Sequence, residues 1–179
     1  MVSILALAGC SPIDRVDAAG TIEPFLPDAE RIVSVPVYGG TMESAPDVGG
    51  FVAADPEGNR LLRIVGAAVA EVDLGDNARP FRVHVEGTRA WVTLRGTGEI
   101  ASVALDTMTI EWRTRVCLEP RGVTRSPGGP LVVACAGGEL VEVDDDGGLV
   151  RLAVLDADLR DVVALNGDLF VSRFATGES

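Results

Sequence analysis

The stretch Val92–Val103, VTLRGTGEIASV, decides the fold, because it recurs. Val133–Val143 reads VACAGGELVEV, and its Gly138-Glu139-Leu140 and Val143 match Gly98-Glu99-Ile100 and Val103 at a spacing of 40 residues. The sequence ends on VSRFATGES, Val171–Ser179. There Val171-Ser172 stands for Val92-Thr93 and Thr176-Gly177-Glu178 for Thr97-Gly98-Glu99, with 39 residues between Gly138 and Gly177. Working outward, Arg82-Val83, Gly122-Val123 and Asp161-Val162 each precede a short turn: Glu86-Gly87-Thr88, Ser126-Pro127-Gly128-Gly129 and Asn166-Gly167-Asp168. A fainter copy, FVAADPEGNRLLRIV, begins at Phe51 in the same register.

A period of about 40 residues points to a solenoid or a propeller. The segments inside each copy are short, rich in Val, Ile, Leu and Thr, and bounded by Gly, Asn, Asp or Pro, so they read as strands. No window keeps apolar residues at helical spacing beyond two turns without meeting Gly or Pro, which disfavours helical repeats. The predicted strands are Phe81–Val85, Ala90–Leu94, Glu99–Leu105 and Ile110–Val116 in one copy. The next copy has Gly122–Arg125, Pro130–Ala134, Glu139–Val143 and Leu149–Val154. Four antiparallel strands per unit make a propeller blade, so the sequence predicts an all-β propeller with blades near 43–76, 80–116, 120–155 and an incomplete 159–179.

Arg79–Thr107, RPFRVHVEGTRAWVTLRGTGEIASVALDT, resembles the YVTN-type β-propeller repeat. That family has a Pro-containing lead-in, an inner strand, a Gly turn, a V-x-V/T second strand, a Gly-centred hairpin and a third strand ending in Asp. Trp91-Val92-Thr93 supplies the second strand and Ile100 to Asp106 the third; Asp146 falls at the spacing of Asp106. The likeness covers residues 50–179. It implies architecture and leaves function open, since propellers serve as binding rings, enzymes and scaffolds. The third strand that follows Glu99 and Glu139 has no counterpart after Glu178. The sequence therefore reads as the first part of a longer propeller lipoprotein; six to eight blades need roughly 240 to 320 residues at this period.

The lipoprotein reading comes from MVSILALAGCS at the start, where an apolar run ends in Leu7-Ala8-Gly9-Cys10. This resembles a bacterial lipoprotein signal whose Cys becomes the lipidated residue, and the run is too short to span a bilayer. No Lys or Arg precedes it, a departure from the usual basic start. Residues 11–30, polar with Pro and acids, suit a tether to a domain at 31–179. Arg31–Val37 alternates enough to be a strand that closes the ring. The expected location is the cell envelope, periplasmic or on the surface, with contact to the membrane through the lipid alone.

Cys117 precedes the inner strand of the third copy and Cys135 ends its second strand. Those strands are antiparallel neighbours, which brings the two cysteines toward disulfide range; an exported protein meets oxidising surroundings. Two free buried thiols are the alternative. With one His in the chain, neither a zinc site nor a Ser-His-Asp triad is expected.

The chain is 47% hydrophobic, enough for a core, and only 4% aromatic, which leaves no stacking surface for single-stranded nucleic acid. A net charge of −12 argues against nucleic-acid and anionic-membrane partners. Asp144-Asp145-Asp146-Gly147-Gly148 lacks the later Glu of a calcium loop and lies where the repeat requires a hairpin. Gly128-Gly129 and Gly137-Gly138 lie between strands with no helix to present a phosphate. There is no Cys-x-x-Cys-His, and no cofactor is implied.

Three candidate binding residues remain. Arg121 and Arg160 take equivalent places at the starts of successive inner strands, near one mouth of a propeller channel, with Arg82 close to the matching place earlier. A ring of Arg in an acidic protein suits an anionic ligand or a partner's carboxylate; Arg–Asp pairing between blades is the alternative. His84 lies on an inner strand, where it either lines the channel or is a satisfied strand histidine. The expected function is non-catalytic binding of an unidentified protein or small anionic ligand. The alternatives are the propeller part of a periplasmic electron-transfer or quinoprotein-like oxidoreductase with its cofactor site elsewhere, and a structural element of the cell surface.

Overall fold

The computed structural model of the protein describes residues 4–7, 41–125 and 128–173. Cys10, the tether, Arg31–Val37 and Thr176–Glu178 lie outside the described residues. Among the described residues, fifteen strands form four sheets: β1 (Ile4–Leu7); β2 to β5 (Met42–Ala45, Gly50–Asp55, Arg60–Val65, Ala68–Asp73); β6 to β9 (Pro80–Glu86, Arg89–Leu94, Glu99–Ala104, Thr109–Arg115); β10 to β13 (Pro120–Arg125, Leu131–Cys135, Glu139–Val143, Leu149–Val154); and β14 and β15 (Leu159–Leu165, Asp168–Arg173). Three sheets are four-stranded antiparallel meanders in chain order, and the fourth runs β1-β15-β14. The predicted strands of the second and third blades recur within about two residues. One difference is that β11 runs Leu131–Cys135, one residue later at each end than expected, in register with Leu131 opposite Arg125 and Cys135 opposite Pro120.

The fourth sheet departs from the meander. Where a third strand would follow β15, Ile4–Leu7 pairs with β15 in parallel, from Ile4 opposite Leu169 to Leu7 opposite Ser172. The apolar run read as a signal therefore has a place in a sheet.

The inner strands β2, β6, β10 and β14 neighbour one another in sequence, so the sheets stack as blades. Pairing register aligns Phe51, Ala90, Leu131 and Leu169 at one position of the second strands, and Val52, Trp91, Val132 and Phe170 at the next. Strand pleating sends the first set toward the preceding blade and the second toward the following one. Three cores result: Val52, Leu61, Ala90 and Val92 between the first two blades; Trp91, Ile100, Leu131 and Val133 between the next two; Val132, Leu140, Leu169 and Val171 between the last two. Middle strands are buried on both faces, which is why RAWVTL and LVVAC read as nearly unbroken apolar runs.

The repeated glycine has a steric cause. Gly98 and Gly138 both sit at positive φ, at +76° and +106°, and a Cβ there would lie 2.2 Å from the Cys117 carbonyl and 2.4 Å from the Leu155 carbonyl. Their own carbonyls accept N–H groups from Val116 and Leu155, tying each second hairpin to the end of its blade. Between blades, Arg113 Nη1 donates to the Leu74 carbonyl at 2.7 Å and Trp112 Nε1 to the Asp145 carbonyl at 2.9 Å. Cys117 and Cys135 form a disulfide, as their strand positions predict, with Cα atoms 6.4 Å apart.

Candidate functional site

The inner strands all begin at one face of the stack, beside the links that lead into them and the turns between second and third strands. On that face lies a concave pocket of about 700 Å³. Pro56 comes from the β3–β4 turn, Arg79 from the link into β6, Phe81 from β6, Arg95 and Gly96 from the β7–β8 turn, and Leu118 and Glu119 from the link into β10. Backbone bonds fix the link against the turn. The Arg95 N–H donates to the Arg79 carbonyl at 3.2 Å and the Gly96 N–H to the Ala78 carbonyl at 3.1 Å. Gly96 permits this approach, since a Cβ there would lie 1.8 Å from the Asn77 carbonyl oxygen.

The lining carries two guanidiniums and one carboxylate, in a protein of net charge −12. Arg95 lies over the Phe81 ring at 4.7 Å from its centroid and pairs with Glu119. Glu119 also accepts Arg121 Nε at 3.1 Å. The Arg121 hydrogen bond, opposed by burial and helped by Arg95, holds the Glu119 carboxyl below its ordinary range. Arg79 differs: its backbone N–H donates to Asn59 Oδ1 at 2.9 Å, but its guanidinium has no ion pair or hydrogen bond among the described residues. Leu118 is 83% exposed, so the pocket joins a cation to a bare apolar wall.

Arg121 and Arg160, predicted for this mouth, do lie on it and meet at one carboxylate. Arg121 Nη1 is 2.8 Å and Arg160 Nη2 is 3.2 Å from Asp158 Oδ1. Arg82 pairs with Asp161, reaching from the second blade to the fourth past Gly122 of the third. Arg–Asp pairing between blades describes the Arg121–Asp158 and Arg82–Asp161 contacts, whereas Arg160–Asp158 lies within the start of the fourth blade. Arg82, Gly122 and Asp161 hold one structural position in three blades, following the same register shift. Gly122 leaves room for the pair, because a Cβ would stand 2.7 Å from Val162 N and 2.9 Å from Asp161 Oδ1.

His84 is half-buried near the axis, stacked on Trp91 with centroids 5.9 Å apart. Its Nδ1 is 3.7 Å from Glu43 Oε1, while Glu43 Oε2 accepts the Val85 N–H at 3.0 Å. Burial pushes the Glu43 carboxyl up to about 7, against the Val85 hydrogen bond and the Arg82 charge. Burial also lowers the His84 pKa, opposed by Glu86 and helped by Arg125. Both groups are thus driven toward neutrality, and at 3.7 Å they form a contact rather than an ion pair. Burial likewise raises Asp161, against the attraction of Arg82.

Sequence reasoning missed Arg79, Phe81, Arg95 and Leu118 as one site. The available signal was position: each lies in a link or turn of the strand-start face.

These features define a β-propeller: stacked antiparallel blades, inner strands about a common axis, and a pocket at the mouth. The solved structures that resemble it fit that class. A selenomethionine-substituted virginiamycin B lyase from Staphylococcus aureus matches with a TM-score of 0.67 and 19% identity, over 88% of this chain and 55% of that chain. Kuenenia stuttgartiensis hydrazine synthase matches at 0.63 and 20%, over 69% and 38%. The WD40 β-propeller domain of Doa1 matches at 0.61 and 16%, over 69% and 43%. The chain thus spans about half or less of the length of these structures, and at such identities the likeness is one of fold. No protein-family model and no curated protein sequence matches the chain.

Proposed function

We propose that this chain is a non-catalytic binding propeller, and that the strand-start pocket receives a carboxylate-bearing ligand or a partner's terminal carboxylate. The observation that carries the reading is Arg79: an uncommitted guanidinium beside the apolar Leu118 wall, with Arg95 and Phe81 as floor. A bidentate carboxylate contact is the interaction a guanidinium makes best. The one carboxylate of the lining, Glu119, is engaged by Arg95 and Arg121, which leaves the pocket's cationic side to meet a ligand. The proposed setting is the bacterial cell envelope, with Cys10 as the lipidated residue. The Cys117–Cys135 disulfide supports an oxidising compartment. Cleavage ahead of Cys10 would remove β1, so lipidation and the β1–β15 pairing exclude each other.

The test uses fluorescent peptides ending in an apolar residue, with a free or an amidated C-terminus, followed by anisotropy. The free-acid peptides bind, the amidated ones do not, and Arg79→Ala weakens binding by about 10-fold or more without moving the thermal midpoint. Equal binding of both peptide forms, or binding of neither, refutes the proposal.

A further inference from the structure

A second concave pocket, of about 590 Å³, lies on the face opposite the strand-start pocket, where the inner strands end. All of its lining comes from the second and third blades. Glu86 closes β6, Asp106 lies in the β8–β9 turn, Arg125 closes β10 and Asp145 lies in the β12–β13 turn. The Leu105 N–H donates to the Thr88 carbonyl at 2.8 Å, which fixes the β8–β9 turn against the β6–β7 turn. The pocket therefore rests on two adjoining four-stranded meanders and on nothing before or after them.

The charges of the lining do not balance: it carries four carboxylates and two guanidiniums. Arg89 is committed to Glu111, with Nη2 3.0 Å from Oε1 and Nε 2.7 Å from Oε2. Arg125 pairs with Asp145, and its Nε is 3.3 Å from Glu86 Oε2. Asp106 pairs with no cation among the described residues; its Oδ1 accepts the Thr107 N–H at 2.9 Å. The donors do not balance either. Trp91 lines the pocket at 2% exposure, and its Nε1–H is buried with no acceptor among the described residues. Trp112, by contrast, gives its Nε1–H to the Asp145 carbonyl at 2.9 Å. A buried donor without an acceptor is costly, so Trp91 calls for an oxygen that the described residues do not supply. Arg125 and Arg89 already lie over its ring, 4.6 and 5.9 Å from the centroid, so a further cation belongs with the carboxylates and not on the ring.

We propose that this pocket binds a protonated amine that also carries an oxygen acceptor. The ammonium meets Asp106 and Glu86, through charge-assisted hydrogen bonds, and the oxygen takes the Trp91 N–H. Among the described residues no three His, Cys, Asp or Glu side chains converge as a metal ion requires, so the spread carboxylates suit an organic cation. A lysine side chain beside its own peptide carbonyl offers this pairing of groups, and so does an amino sugar. The site is independent of the strand-start pocket, whose cationic lining selects the opposite charge.

The test reads the indole N–H itself. The chain has two tryptophans, so NMR spectra of the isotopically labelled full chain hold two indole N–H peaks, which Trp112→Phe assigns. The probes are Nα-acetyl-lysine amide and glucosamine, each titrated to about 20 mM, against the uncharged Nε-acetylated lysine derivative and N-acetylglucosamine. The Trp91 peak is expected to move downfield with at least one charged probe, with a Kd on the order of 1 mM, and to stay in place with the uncharged ones. Asp106→Asn keeps an oxygen for the Thr107 N–H and is expected to weaken binding by at least about 5-fold with the free spectrum unchanged. Movement with the lysine probe alone supports a partner's side chain as the source, and movement with glucosamine alone supports a small sugar. A Trp91 peak that neither charged probe moves overturns the proposal. Equal movement by the charged and uncharged forms, or binding that Asp106→Asn leaves intact, overturns it as well.

Discussion

Replacing Glu43 with Gln tests the reading of the axis directly. Folding takes this carboxyl from its ordinary 4.5 to about 7, chiefly through burial. A raised carboxylate pKa means the folded state binds the proton more tightly, so this group's contribution to stability is greatest below about 4.5 and falls as pH rises through about 7. A rise from 4.5 to about 7 corresponds to about 3 kcal/mol, an upper bound because the side chain keeps 24% exposure. Gln retains an oxygen to accept the Val85 N–H and carries no charge to desolvate. Glu43→Gln is therefore expected to gain up to about 3 kcal/mol over the wild type at pH 8 and under about 1 kcal/mol at pH 5. Urea denaturation of both proteins at pH 5, 6, 7 and 8 measures it. The pH dependence of the difference is the diagnostic quantity, since any change in packing by the amide adds a constant. A difference that stays flat from pH 5 to 8 would refute the burial argument, and one that shrinks with rising pH would show that the carboxylate is held by a positive charge.

Three further outcomes follow from the geometry. Reducing Cys117–Cys135, which encloses a segment of sequence separation 18, is expected to remove about 3 kcal/mol, a fall of roughly 6–12 °C in thermal midpoint; identical midpoints with and without reductant would contradict this. Gly98→Ala places a Cβ 2.2 Å from the Cys117 carbonyl at a positive φ and should cost at least about 2 kcal/mol. Gly66→Ala has open space at φ +58° and should cost about 1 kcal/mol, so equal losses in chemical denaturation would show that backbone strain alone decides. Gly122→Ala should destabilise the chain and disturb the Arg82–Asp161 pair, whereas an unchanged denaturation curve would mean that the close approach of Gly122 to Asp161 and Val162 is not needed for stability.

The legible parts of this molecule are those that repeat for a physical reason. Gly98 and Gly138 recur because a carbonyl from the end of each blade approaches where a Cβ would be, so the spacing of 40 carries the blade period itself. The disulfide was legible because antiparallel pairing sets Pro120 opposite Cys135, and Cys117 lies just ahead of that strand. The mouth pocket was not, because Pro56, Arg79, Arg95 and Leu118 come from different blades and meet only through the rotation between them, which no single repeat encodes. Glu43 was hidden for a related reason: the first blade echoes the others faintly, and only strand register shows that Glu43 occupies the position of His84. Arg121 and Arg160 could be placed at the mouth from their equivalence, and Asp158 precedes β14 as Glu119 precedes β10, but that Asp158 takes both arginines shows only once the two blades are side by side. In a repeat protein the fold is written in positions that agree and the site in positions that disagree. Arg82, Gly122 and Asp161 show why: three residues share one position, and only their being cation, vacancy and anion lets a charge pair cross the axis from the second blade to the fourth.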